Sequence, residues 1–161
     1  MTPTYKAITE NTTKWHRPDR PEWKVSKSIG DSGEEMASAV FRSLGLRVEK
    51  HLGQSAFDLS VGGDVEVKRD RLAGKTGHIA IEVAHKGHPS GITNSVADTW
   101  AIIIGEGAEM MMMMMPTAGL RALLERGEYR TVAAGESATV ALVPVEDIKS
   151  ISRRLIRAGG Q

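Results

Sequence analysis

The sequence has no cysteine, which excludes a disulfide framework, a thiolate metal site and a thiol nucleophile, and fits a reducing cytoplasm. It has no apolar run near the roughly 20 residues a membrane span requires. Its first residues, MTPTYKAITENTTKW, lack the apolar core of a signal peptide. The expectation is a soluble, cytoplasmic protein. A phosphate-cradling glycine loop, a G-x-S-x-G elbow and a dinucleotide fingerprint are all missing, so small-molecule enzyme chemistry has little support. His78, His85 and His88 are not spaced as a helical H-x-x-x-H pair, so they read as surface or phosphate-contact residues rather than zinc ligands. No internal repeat stands out.

The composition, 40% hydrophobic and 25% charged over 161 residues, is that of one folded domain. The net charge of +1 conceals an uneven distribution. The first 30 residues hold six Lys and Arg against three acids, with Tyr5, Trp15 and Trp23 interleaved. The last stretch, SRRLIRAGGQ, adds Arg153, Arg154 and Arg157 and no acid. Cations mixed with aromatics suit phosphate contact and base stacking. Residues 1–28, with Pro3, Pro18 and Pro21, are expected to form a basic N-terminal arm, and residues 29–161 the domain.

Helical spacing of Met36, Ala37, Val40, Phe41 and Leu44 predicts a helix over DSGEEMASAVFRSLGL, stopped by Gly45. LRVEKH, AFDLSV and DVEVKRD read as strands, with Gly62 and Gly63 turning between the last two. GHIAIEVAHK alternates as a fourth strand, and the unbroken apolar run WAIIIG predicts a strand buried on both faces. Thr117 is expected to cap a helix ending at Arg126 and Gly127, with Leu120, Leu123 and Leu124 inward. TVALVPVEDI is expected as the last strand, followed by a short basic helix. The result is an α/β fold, a single domain with a mixed central sheet flanked by helices. The run Met110–Met115 is expected to fill core rather than bind a soft metal, since no histidine lies nearby.

The chemistry concentrates in FDLSVGGDVEVKRD. Residues two apart in a strand share a face, so Asp64, Glu66 and Lys68 line up opposite Val65 and Val67. The turn at Gly62 and Gly63 brings Asp58 beside Glu66. Two adjacent carboxylates repel unless a cation lies between them. Magnesium answers that requirement with one or two protein carboxylates, several waters and substrate phosphate oxygens. Lys68 is placed to orient or help deprotonate an attacking water and to offset charge developing on a phosphate.

Asp58 followed after seven residues by Glu66-Val67-Lys68, and preceded by an acid-bearing helix, resembles the PD-(D/E)xK nuclease superfamily, which includes restriction endonucleases and Holliday junction resolvases. The similarity spans residues 31–104, with Phe57 where the motif's proline would stand. The resemblance implies a restriction-endonuclease-like core of order αβββαβ, a Mg2+-dependent deoxyribonuclease, Mn2+ as a substitute metal, DNA as partner and a homodimer. It also implies an acid from the first helix. Glu34 lies at the edge of the core face, while Glu35 points to solvent and fits a capping box with Ser32; Asp31 with Glu34 offers a similar cap. Glu34 is preferred, with Glu35 left open. Glu82, on the polar side of the next strand, is a further candidate, and Lys86 with Ser90 and Gly91 is placed to touch a DNA backbone or simply to turn the chain. The rival class is a non-catalytic nucleic-acid-binding module with a nuclease-like fold.

Overall fold

The computed structural model describes residues 21–51 and 57–157. The first twenty residues, which carry most of the expected basic arm, lie outside the described residues, as does the Ala56 start of the second expected strand.

Helix α1 runs Pro21–Ser43, so it begins ten residues before the expected start at Asp31, inside the stretch assigned to the arm. Proline is well suited to a first helical turn because its missing N–H would have no partner there. Ser32 is therefore interior to the helix, where its hydroxyl donates to the Ile29 carbonyl at 2.8 Å, and the expected capping box does not form. The C-terminus closes as anticipated. Gly45 adopts φ +76°, and the Leu46 and Gly45 amides donate back to the Phe41 and Arg42 carbonyls at 3.0 and 2.9 Å, the Schellman arrangement that glycine permits.

Strands β1 (Glu49–Lys50), β2 (Leu59–Ser60) and β3 (Asp64–Asp70) follow. Then come a four-residue helix α2 (Ala73–Thr76), β4 (His78–His85), β5 (His88–Pro89), β6 (Thr99–Ile104) and β7 (Met111–Pro116). Helix α3 (Thr117–Arg126), β8 (Thr131–Ala134), β9 (Ala138–Pro144), α4 (Val145–Ile151) and β10 (Arg154–Arg157) complete the chain. Six strands form a mixed central sheet in the order β1-β2-β3-β6-β7-β10, in which β3 and β6 run parallel. Strand β4 does not join it. It belongs to a second, antiparallel sheet of order β5-β4-β9-β8.

Two apolar clusters hold the central sheet from its two faces. Alternation along β6 sends Ala101 and Ile103 toward Ala37 and Phe41 of α1, with Leu59, Val65 and Met112. It sends Trp100, Ile102 and Ile104 toward Ile79, Ile81 and Val143 of the second sheet and toward α3 and α4. Burial on both faces explains the unbroken apolar run of β6. The methionine run solves the same problem on β7: Met112 and Met114 pack on the α1 side and Met111, Met113 and Met115 on the other, where flexible thioethers fill uneven space.

The end of the chain differs from expectation. Pro144 ends β9, residues 145–151 turn helical, and the arginine-rich stretch expected as a basic helix is strand β10, paired with β7 from Arg154↔Met114 to Arg157↔Met111. Four residues are too few to sustain a free helix, whereas the open edge of β7 offers each of them a backbone partner. Thr117 does not cap α3 either; its hydroxyl donates to the Ala97 carbonyl at 2.5 Å and ties the helix start to the preceding loop.

If the methionines serve as packing, Met113→Ala should cost about 2–5 kcal/mol by chemical denaturation and Met113→Leu less than about 1.5. Equal losses from both would contradict that role.

Candidate active site

The site is built around the β2–β3 hairpin. The Asp58 amide donates to the Val65 carbonyl at 3.1 Å, and its carboxylate accepts from the Val67 amide at 2.8 Å. Asp58 thus bonds to β3 on both sides of Glu66, once through its amide and once through its carboxylate. On β3, Val65 and Val67 pack toward α1, so strand alternation puts Glu66 and Lys68 on the opposite face, in register with Trp100 and Ile102 of β6.

Helix α1 lies close to β3 because Gly33 faces it. A Cβ at Gly33 would stand 3.0 Å from the Arg69 Cβ. The Arg69 guanidinium also donates to the Ser32 hydroxyl. One position beyond Gly33, Glu34 is 20% exposed and its charge acts on Asp58 and on Glu66, whereas Glu35 is 65% exposed. Lys50 of β1 bridges both acids, 3.2 Å from Glu34 and 2.8 Å from Glu35.

Glu82 arrives from the second sheet. Register slips between Glu82 and Ala84 where β4 pairs with β9, and the Ser90 hydroxyl donates to the Glu82 carboxylate at 2.6 Å. Its charge reaches Glu66 although β4 is not a ladder neighbour of β3. Carboxylates from α1, the β2 approach, β3 and β4 therefore share one electrostatic field.

That field is read most clearly at Glu66. Burial, and then the charges of Asp58, Glu34 and Glu82, push its carboxyl from an ordinary 4.5 up to about 7 against the opposing pull of Lys68. Asp58 is also raised, chiefly by burial, with the Val67 amide and Lys50 opposing. Glu34 is raised by burial, opposed by its hydrogen bond to Lys50.

Other acids nearby have structural partners. Asp70 accepts from the Leu72, Ala73 and Ala80 amides, each at 3.0 Å. Asp64 shares the face of Glu66 and Lys68, but its carboxylate accepts from Ser60 and its backbone bonds to Asp98.

Hard carboxylate oxygens with too little positive charge among them suit a divalent cation such as magnesium. Among the described residues no group of three or more His, Asp or Glu is already gathered closely enough to hold a metal ion unaided. Two contributors were not legible beforehand. Lys50 stood in a predicted strand with nothing to mark its reach to α1, and Ser90 stood in a loop eight residues from the acid it holds.

Among solved structures the chain is similar to a bacterial homing endonuclease, I-Ssp6803I. The TM-score is 0.50, with 18% identity over 75% of this chain and 80% of that one. No family model and no curated protein matches. The likeness establishes a nuclease-like α/β fold.

The Glu66 shift has a measurable sign. Below about pH 4.5 the side chain is protonated in folded and unfolded chains alike; between 4.5 and 7 only the unfolded chain ionises, so stability falls as pH rises and levels off above 7. Without divalent cations, Glu66→Gln should exceed wild type by about 3 kcal/mol near pH 8 and match it near pH 4. A variant less stable than wild type at pH 8 would mean that the ionised carboxylate is favourable where it lies.

Proposed function

We propose that this protein is a metal-dependent DNA endonuclease of the PD-(D/E)xK kind, hydrolysing phosphodiester bonds, with branched, resolvase-type DNA among its candidate substrates. The observation that carries the reading is the grip of Asp58 on both sides of Glu66, which keeps two carboxylates together beside Lys68. The likeness to a homing endonuclease supports it at the level of fold.

In this reading Asp58 and Glu66 would hold Mg2+, or Mn2+ in its place, with Glu34 supporting the ion or its water and Glu82 as a further acid. When bound, the ion supplies positive charge to the phosphate oxygens and lowers the pKa of water. The residues of the chain do the rest. Lys68 orients the attacking water and offsets the charge that builds on phosphorus-bound oxygens as the new P–O bond forms and the old one breaks. Ser90 keeps Glu82 directed inward. Lys50 shields Glu34 from its acidic neighbours, and α1, anchored through Gly33, sets how closely Glu34 approaches. Cutting two strands calls for two such sites, hence a homodimer.

With magnesium or manganese the wild type should cut DNA in a panel of supercoiled, linear, single-stranded and branched forms. Lys68→Ala and Asp58→Ala should lower the rate by about 100-fold or more while keeping a cooperative unfolding transition. A folded wild type that binds DNA but cuts no form with either metal, and whose binding is indifferent to Lys68→Ala, would favour a non-catalytic binding module instead.

A further inference from the structure

The strand that carries Glu82 continues three residues further, to His85, and turns back in a two-residue hairpin. His85 and His88 are its last paired residues, and Lys86 and Gly87 form the loop with φ of +50° and +77°. Positive φ at both loop positions is the type I′ geometry that Asn-Gly satisfies without strain. Lys86 is the one non-glycine residue with positive φ among those described, and for a lysine the left-handed region costs on the order of 1 kcal/mol. Backbone strain held at a turn tip directs attention to what the side chain does there.

The tip itself carries basic side chains. His85, Lys86 and His88 are all exposed, and no acid occurs between Glu82 and Asp98. The neighbouring β8–β9 turn adds one, Glu136. Lys86 forms no ion pair among the described residues.

The base of the hairpin is rigid and registered on the site. The Ser90 amide and the Thr93 hydroxyl both donate to the Val83 carbonyl, at 3.2 and 2.8 Å. Gly91, at φ +56°, lies so close that a Cβ would fall 2.4 Å from the Glu82 carbonyl oxygen. The tip is braced from the side, because the Lys86 amide donates to the Ser137 carbonyl at 2.8 Å. At about 3.3 Å per residue the ammonium-bearing tip stands roughly 13 Å along the strand from Glu82.

We propose that the His85–His88 hairpin is a backbone-gripping finger for duplex DNA: it seats phosphates of the substrate a fixed distance from the carboxylate site, with Lys86 as the principal contact. The inference rests on the nuclease reading for its partner and adds the surface that holds it.

The experiment separates turn from charge. Lys86→Asn places the residue that the turn prefers and removes the ammonium; Lys86→Gly also relieves the backbone; Lys86→Arg keeps the charge. Binding of a labelled duplex is followed by fluorescence anisotropy across a salt series, with calcium replacing magnesium to suppress cleavage. Lys86→Asn and Lys86→Gly should hold or raise Tm yet weaken binding about three- to tenfold at low salt and flatten the slope of log affinity against log salt by about 1, with Lys86→Arg close to wild type.

Unchanged affinity and slope in Lys86→Asn and Lys86→Gly would overturn the finger, as would a wild type that does not bind the duplex. Cleavage, scored separately with magnesium, distinguishes the two readings. A wild type that binds through Lys86 but cuts nothing leaves the finger standing and removes the nuclease, whereas cleavage with a Lys86-independent salt slope does the reverse.

Discussion

Everything about the site depends on like charges that the backbone does not allow to separate. The Asp58 amide and carboxylate are both committed to β3, at Val65 and Val67, so its charge cannot drift from Glu66 without breaking the hairpin. Coulomb repulsion between carboxylates in a partly buried place is not well screened. The fold accepts that cost, and the Glu66 carboxyl is raised first by its burial and then by the neighbouring charges of Asp58, Glu34 and Glu82. A structural ion-pair network matches each anion with a cation. Here the charges of Asp58, Glu34 and Glu82 all act on Glu66, and among the described residues the cations that oppose this field are Lys68 at Glu66 and Lys50 at Glu34 and Asp58, an imbalance of the kind that clusters at functional sites.

The two apolar clusters make this imbalance tolerable. The wall formed by β6, buried on both faces, fixes β3 in parallel register, and α1 is pressed onto β3 where Gly33 leaves room. The second sheet meets the first through Ile79, Ile81 and Val83 against Ile102, Met113 and their neighbours, which delivers Glu82 and the hairpin beyond it. Acids from four separate segments can be held in one field because none of those segments is free to yield.

What the sequence disclosed follows from how local each signal was. The Gly62-Gly63 turn and the alternation of DVEVKRD gave β3 with its residue bounds, the apolar run gave β6, and Gly127 gave the end of α3, since each is written in a few adjacent residues. The partition into two sheets was not legible, because the alternation of β4 states which face is buried and not which strand lies beside it. Strand β8, TVAA, is short and its alanines give no clear alternation to read, and β10, with an arginine at each end, is a strand because the open edge of β7 lies beside it. The three prolines before α1 suggested irregular chain, yet one of them opens the helix. Asp58, Glu66 and Lys68 could be placed together because a hairpin joins them. Lys50 and Ser90 enter through contacts 15 and 8 residues long that no short pattern encodes.

The central claim, that these carboxylates make one site short of positive charge, is tested most directly by melting the apo protein near pH 8 in millimolar magnesium and in sodium chloride of equal ionic strength. Selective binding to the folded chain must raise Tm by mass action. The account predicts a magnesium-specific rise that disappears in Asp58→Asn. An identical Tm in the two salts, or a rise that survives Asp58→Asn unchanged, would contradict it.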